Sequence, residues 1–235
     1  MFPVFQPRQI PPMQGAAFRI CENLKQVRHR IDEAARRVGR NPDSVRLVAV
    51  TKSVGTEEIR ILYDQGVREF GENRVKEASA KLALVALDGC VWHMIGTIQS
   101  RKARQVAQLF DCVDSLDRLE LAQELNKQCE RHGKKMPVLI QVNTTGETTK
   151  HGFSPAELSD VIAQIRQLSH LDVQGLMTMA PLVDDPEKAR PAFALLRKLA
   201  EKFELPELSM GMSNDYTVAV EEGATQVRIG TALFQ

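Results

Sequence analysis

A chain of 235 residues in which 31 lysines and arginines face 30 aspartates and glutamates has no global field to recruit nucleic acid or an acidic membrane. Its 43% hydrophobic content can fill a large core without disulfide or metal staples. Aromatic residues at 5% provide no stacking platform for single strands, and no apolar stretch approaches the length of a membrane helix.

Along the chain, the first elements are a leader and a helix. Pro3, Pro7, Pro11 and Pro12 fall in a stretch without a basic start or a continuous apolar run. Residues 1–16 are therefore expected to be a mobile leader rather than a signal peptide, with one domain over 17–235. Leu24, Val27, Ile31, Ala34, Ala35 and Val38 recur at helical spacing from about Ala17, and Gly39 with Pro42 ends that helix.

Short apolar runs then predict strands at Leu47–Val50, Val67–Phe70, Val91–Ile95, Cys112–Ser115, Val138–Val142, Val173–Met177, Leu208–Met210 and Gln226–Ile229. Helical patterns fall between them at about 57–64, 74–86, 101–109, 118–131, 155–168, 187–203 and 216–221. Ser154-Pro-Ala-Glu157 is a capping box with proline at the first helical position. Gly66, Gly133 and Gly223 each follow a helix, where a left-handed residue is wanted.

Strands and helices in this alternation predict a single (β/α)8 TIM barrel with an extra N-terminal helix. An open doubly wound sheet is the alternative, but no G-x-G-x-x-G follows the first strand. The chain ends five residues after Gly230, so no second domain is expected. Cys21, Cys90, Cys112 and Cys129 lack any framework spacing and read as reduced thiols of a cytoplasmic protein. The five histidines form no HExxH or Cys/His motif, so no metal is expected. The basic cluster Arg101-Lys-Ala-Arg104 reads as a solvated helix face.

Lys52 directly follows the apolar run ending at Thr51. Burial at a barrel rim disfavours the charged amine, and a free amine can attack a carbonyl; taken alone, Lys52 reads first as a solvated loop lysine. Barrel closure brings the first strand beside the eighth, so Lys52 and Arg228 are expected on one C-terminal rim. The loops after the last two strands, Gly211-Met-Ser213-Asn and Gly230-Thr231, have the glycines and hydroxyls of a phosphate grip. A lysine for a carbonyl, a grip for a phosphate and an arginine between them fit pyridoxal 5′-phosphate. Thr144 to Gly152 forms a polar rim loop that could cover the pocket, with Lys150 as a lesser candidate, whereas Met177 and Met179 are expected to pack in the barrel.

Val48-Ala-Val-Thr-Lys52, Phe70-Gly-Glu-Asn73, Trp92-His-Met-Ile-Gly96 with Gln99-Ser100, Gly175-Leu-Met177, Leu208-Ser-Met-Gly-Met-Ser213 and Val227-Arg-Ile-Gly-Thr231 together resemble the pyridoxal-phosphate homeostasis protein family. The similarity runs in order over nearly the whole chain after about residue 17. It implies a barrel like the N-terminal domain of alanine racemase, holding the cofactor as an imine on the lysine matching Lys52. It also implies a soluble cytoplasmic carrier or regulator in vitamin B6 homeostasis, affecting amino-acid and keto-acid balance, without strong turnover. By motif, Ser213, Gly230 and Thr231 would hold the phosphate, Arg228 would face the pyridine nitrogen and Asn73 would lie near the ring. His93 and Met94 are candidate lining that could equally be core packing.

Two departures from the family stand out. Ser53-Val-Gly55 replaces the second lysine and proline that often follow the Schiff-base lysine, and the chain stops at Phe234-Gln235 where the family continues. Apoenzymes that use the cofactor are the expected protein partners, and a monomer is expected. A racemase-like enzyme using the same cofactor, and a Schiff-base aldolase needing none, are the competing readings.

Overall fold

A computed structural model of the chain describes residues 15–85, 87–147 and 151–235. The apolar spacing of the first segment produces α1 (Ala16–Arg37), whose buried stripe is Ile20, Cys21, Leu24, Val27, Ile31, Ala34 and Ala35. Burying a side chain such as Leu24 or Ile31 contributes about 1.5–3 kcal/mol, so this stripe decides which face of α1 meets the barrel. The strands follow as β1 (Arg46–Val50), β2 (Glu69–Glu72), β3 (Val91–Met94), β4 (Cys112–Leu116), β5 (Met136–Gln141), β6 (Leu171–Met177), β7 (Glu207–Ser209) and β8 (Gln226–Ile229). They are interleaved with α2 (Thr56–Asp64), α3 (Val75–Leu82), α4 (Ala103–Leu109), α5 (Leu119–Arg131), α6 (Leu158–Ile165), α7 (Arg190–Lys202) and α8 (Tyr216–Glu221), and α9 (Thr231–Phe234) comes last.

The strands pair in parallel in sequence order and close, with β1 against β8 in the register Val48 to Arg228 and Ala49 to Ile229. The architecture is therefore the expected eight-stranded barrel with a leading helix. The main apolar core lies between sheet and helices, where Phe70 stacks on Trp92 at 5.2 Å. α1 packs on α8 and α9, and Asn23 Nδ2 on α1 donates to the carbonyls of Leu233 (3.2 Å) and Gln235 (2.8 Å).

Several element boundaries differ from expectation, two of them for clear local reasons. β2 starts at Glu69 rather than Val67 because the Val67 N–H donates to the Leu62 carbonyl at 3.0 Å. With Gly66 at φ 83°, that bond completes the C-terminal turn of α2 and removes Val67 from the strand. α6 starts at Leu158 rather than Pro155. The Glu157 carboxylate accepts both the Ser154 N–H (2.8 Å) and the Ser154 hydroxyl (2.6 Å), so the serine donates where a full capping box needs it to accept.

Candidate functional site at the C-terminal rim

Alternation along each strand sends every second side chain inward, and the strands' C-terminal ends open into a cavity of about 560 Å³. Val50, Lys52, Asn73, Gln141, Ser213, Arg228, Gly230 and Thr231 are among its lining residues. All six sequence-derived site residues thus border one cavity, although they lie at the ends of four different strands. The lining also contains Arg74, Thr97 and Asp215, together with an apolar lip of Met179, Pro181, Leu182 and Val183. Leu182 is 88% exposed.

Lys52 sits two residues beyond β1 and is exposed, so the buried rim lysine expected from the strand run is not what the fold provides. A buried clip behind it fixes the backbone. Glu72 Oε1 accepts from Thr51 Oγ1 (2.6 Å) and Lys81 Nζ (2.8 Å), and Lys81 also donates to the Thr51 carbonyl (2.5 Å). Glu72 is wholly buried, so the ammonium of α3 is its counter-charge. Asn73 is fixed by close approach instead: a Cβ on Gly96 would lie 2.2 Å from the Asn73 carbonyl oxygen, so only glycine lets the two loops meet.

The opposite wall is built from β7, β8 and the loop between β7 and α8. Gly211, at φ 92°, leaves no room for a Cβ between Ala219 and Tyr216. That turn delivers Ser213, whose Oγ accepts the Ala232 N–H at 3.2 Å in the first turn of α9. Met212 N–H donates to Asp215 Oδ1 at 2.6 Å. Burial pushes the Asp215 carboxyl above its ordinary range, against this hydrogen bond and the Arg228 charge.

Arg228 is only 4% exposed; its Nη1 donates to Ser209 Oγ (2.6 Å) and its Nη2 to the Thr178 carbonyl (2.9 Å). Below it, Gln226 Nε2 donates to both Asp114 Oδ2 and Ser209 Oγ (2.9 Å to the latter), and Ser209 Oγ lies 3.3 Å from Asp114 Oδ2. Asp114 Oδ1 pairs with His93 Nδ1 at 3.0 Å, and Glu69 Oε2 lies 3.3 Å from His93 Nε2. A column of polar side chains therefore descends from the cavity through the barrel interior.

Electrostatics along this column follow from mutual compensation. Burial pulls the His93 pKa down, but the Asp114 charge and hydrogen bond outweigh it and hold the imidazole well above its ordinary value. Burial raises the Asp114 carboxyl, yet His93, Arg228 and Gln226 leave it below the usual carboxylate range. Burial also lowers the Arg228 guanidinium, opposed by Asp114 and Asp215.

Several sequence readings are corrected or sharpened here. His93 belongs to the interior column rather than the cavity wall, and Met94 is buried in the apolar core. Met177 is wholly buried as expected, whereas Met179 lines the cavity. Of the rim loop's described residues, 144–147, 151 and 152, none lines the cavity; Lys150 lies outside the described residues. His93, Cys112 and Asp114 place ligand-type atoms within 4.8 Å of one another, a proximity that sequence spacing conceals. Both Asp114 oxygens are already engaged by His93, Gln226 and Ser209, so the group is an ion-pair column rather than an open ligand set.

A closed parallel barrel of this kind has counterparts among solved structures. The alanine racemase of Clostridium difficile shares this fold, with a TM-score of 0.71 at 16% identity over 92% of this chain and 56% of that one. The sequence profile of the alanine racemase N-terminal domain family matches residues 23–235. The particular relatives are nearer in sequence. The pyridoxal phosphate homeostasis protein of Aquifex aeolicus is 42% identical over 221 residues, covering 91% of this chain and 96% of that protein. PipY of Synechococcus elongatus, solved with PLP bound, has a TM-score of 0.81 at 37% identity, covering 92% of this chain and all of that one. The chain belongs to the pyridoxal phosphate homeostasis protein family, within the alanine racemase N-terminal domain class.

Proposed function

We propose that this protein binds pyridoxal 5′-phosphate on its C-terminal rim and serves as a carrier or regulator in vitamin B6 homeostasis. The observation that carries the reading is the convergence of Lys52, Asn73, Ser213, Arg228, Gly230 and Thr231 on one cavity. The donor set fits the group. A phosphate dianion needs short hydroxyl and backbone donors, a pyridine nitrogen needs a fixed partner, and an aldehyde needs an accessible amine. Bound pyridoxal phosphate supplies an aldehyde and an electron-withdrawing ring. Lys52 supplies the amine, and its exposure leaves it open to incoming and outgoing cofactor. Ser213 and Thr231 supply hydroxyl donors, and Gly230 keeps the backbone approachable. Arg228 would face the ring nitrogen, and Asn73 would border the ring.

An arginine at that nitrogen would keep it unprotonated and weaken the ring as an electron sink, a setting racemases tolerate but one in which a carboxylate partner would make the ring a better sink. The rigid hold of Ser209 and Thr178 on Arg228 supports that role. We infer carriage without strong turnover, by a cytoplasmic monomer of which residues 17–235 form the cofactor domain and apoenzymes are the recipients. Relatives named as homeostasis proteins support the carrier side of this reading. Among the described residues, no helix is long and apolar enough to cross a membrane.

Purified protein titrated with pyridoxal phosphate should develop visible absorbance, and borohydride reduction with peptide mapping should place the pyridoxyl group on Lys52. Recovery of the label on Lys76 or Lys150 instead would refute the assignment. Solvent deuterium exchange at the α-carbon of alanine and serine separates carrier from racemase-like enzyme. Rapid, Lys52-dependent exchange with loss of stereochemistry would favour the enzyme.

A further inference from the structure

We propose that Asp114, which lies outside the cavity wall, is a positioning residue for Arg228 and sets the net charge that the guanidinium offers to the cofactor ring. The proposal rests on the pyridoxal phosphate reading of the cavity. Arg228 lines that cavity while almost fully buried, and its two hydrogen-bond partners, the Ser209 hydroxyl and the Thr178 carbonyl, are both neutral. A buried cation with neutral partners requires a counter-ion, and two carboxylates face it: Asp114 from β4 and Asp215 from the loop before α8.

These two carboxylates are not equivalent. Asp215 is committed to the Met212 N–H, and burial favours its protonated form. Asp114 is held ionised by His93 on one oxygen and by Gln226 and Ser209 on the other. Ser209 Oγ therefore joins carboxylate to guanidinium, 3.3 Å from one and 2.6 Å from the other. The remaining charged groups around the arginine are Lys52 and Arg74 in the cavity wall, and Glu69 on β2 beyond His93. Among the described residues, only Asp114 combines full burial, a directed link to Arg228 and an ionised state enforced by its own partners.

The consequence is readable in the bound cofactor. The visible absorbance of lysine-bound pyridoxal phosphate titrates as the linkage loses its proton, and added positive charge nearby favours that loss. Asp114→Asn removes the negative charge with little change in volume, leaving Arg228 uncompensated. The pH midpoint of the absorbance change should fall by roughly one unit, an effect in the range that one nearby charge produces. A residue that serves folding alone would lower thermal stability and leave that midpoint in place.

The experiment is a spectrophotometric pH titration of the cofactor-loaded full chain, wild type beside Asp114→Asn, with circular dichroism to show that both are folded. A downward shift supports the proposal, and an unmoved midpoint in a folded variant overturns it. Should Asp114→Asn fail to fold, His93→Gln carries the test. Loss of the cation that offsets Asp114 should move the midpoint upward, and no movement would overturn the proposal. A wild-type protein with no Lys52-dependent absorbance refutes the cofactor reading itself and this inference with it. A wild-type band with unmoved variants refutes only the inference.

Discussion

The two walls of the cavity are built on opposite principles. On the β1–β2 side, the residue proposed to carry the ligand, Lys52, is exposed and owes its place to a buried clip behind it, Thr51–Glu72–Lys81. On the β7–β8 side, the residue proposed to face the ligand ring, Arg228, is itself buried and held by a column reaching Glu69 across the barrel. An amine that must form and release a covalent link benefits from access. A cation that must present fixed charge benefits from desolvation, since buried charges interact through a lower effective dielectric. The contrast predicts that damage on the first wall registers as instability or lost linkage, and damage on the second as altered affinity and pH response.

The largest expected effect tests the clip. Lys81→Ala leaves the wholly buried Glu72 carboxylate without its cation, and breaking a buried pair in this way costs about 3–5 kcal/mol. The denaturant midpoint should fall accordingly, and Lys81→Ala with Glu72→Leu should recover much of the loss. A single variant as stable as wild type would show that the clip does not organise the first wall. Next in size is the grip. Ser213→Ala or Thr231→Ala removes one hydroxyl donor to a dianion, worth roughly 1.5–3 kcal/mol, so the dissociation constant should rise by about one to two decades. Neither residue belongs to the clip or the column, so Thr231→Ala should keep near wild-type stability and Ser213→Ala should lose only the hydrogen bond that Ser213 Oγ accepts from the Ala232 N–H. Equilibrium titration with pyridoxal phosphate measures this, and unchanged constants in both would place the phosphate elsewhere.

Sequence periodicity carried the barrel far. The stripe of α1, the order of the eight strands and the glycines after helices all follow from local rules, because each is written in neighbouring residues. The shift of β2 was hidden because Val67 is a good strand residue whose N–H is claimed by the preceding helix turn. Lys52 and Arg228 were legible because barrel closure alone makes first and last strands neighbours. Asp114 was not. It sits 112 residues from Gln226 and 95 from Ser209, and only the shear of the closed barrel brings these side chains together across its interior. The exposure of Lys52 was also illegible, since a strand-end position does not say how far the following turn carries the side chain out.

The smallest predicted effect concerns the column alone and has a definite sign. His93 is held well above its ordinary pKa of 6.5 by Asp114, so its protonated form is favoured in the folded protein. A group whose pKa is raised on folding contributes stability that is fully present below its unfolded value, about 6.5, and is lost as pH rises through the folded value. Between pH 6.5 and 7.5 the unfolding free energy should therefore decline with pH, by at most about 1.4 kcal/mol per unit from this one proton. That window ends about one unit below the unfolded cysteine thiols, near pH 8.5, whose ionisation would add to the slope at higher pH. Asp114, held low, works in the opposite window: its contribution is present above about pH 3.9 and is lost as pH falls through its lower folded value. His93→Gln should abolish the neutral-pH decline while leaving the acid limb, whereas Ser213→Ala should leave both unchanged. Chemical denaturation of the cofactor-free protein at half-unit pH steps measures the slopes. A neutral-pH decline in His93→Gln as steep as in wild type would show that the column does not carry a proton at His93.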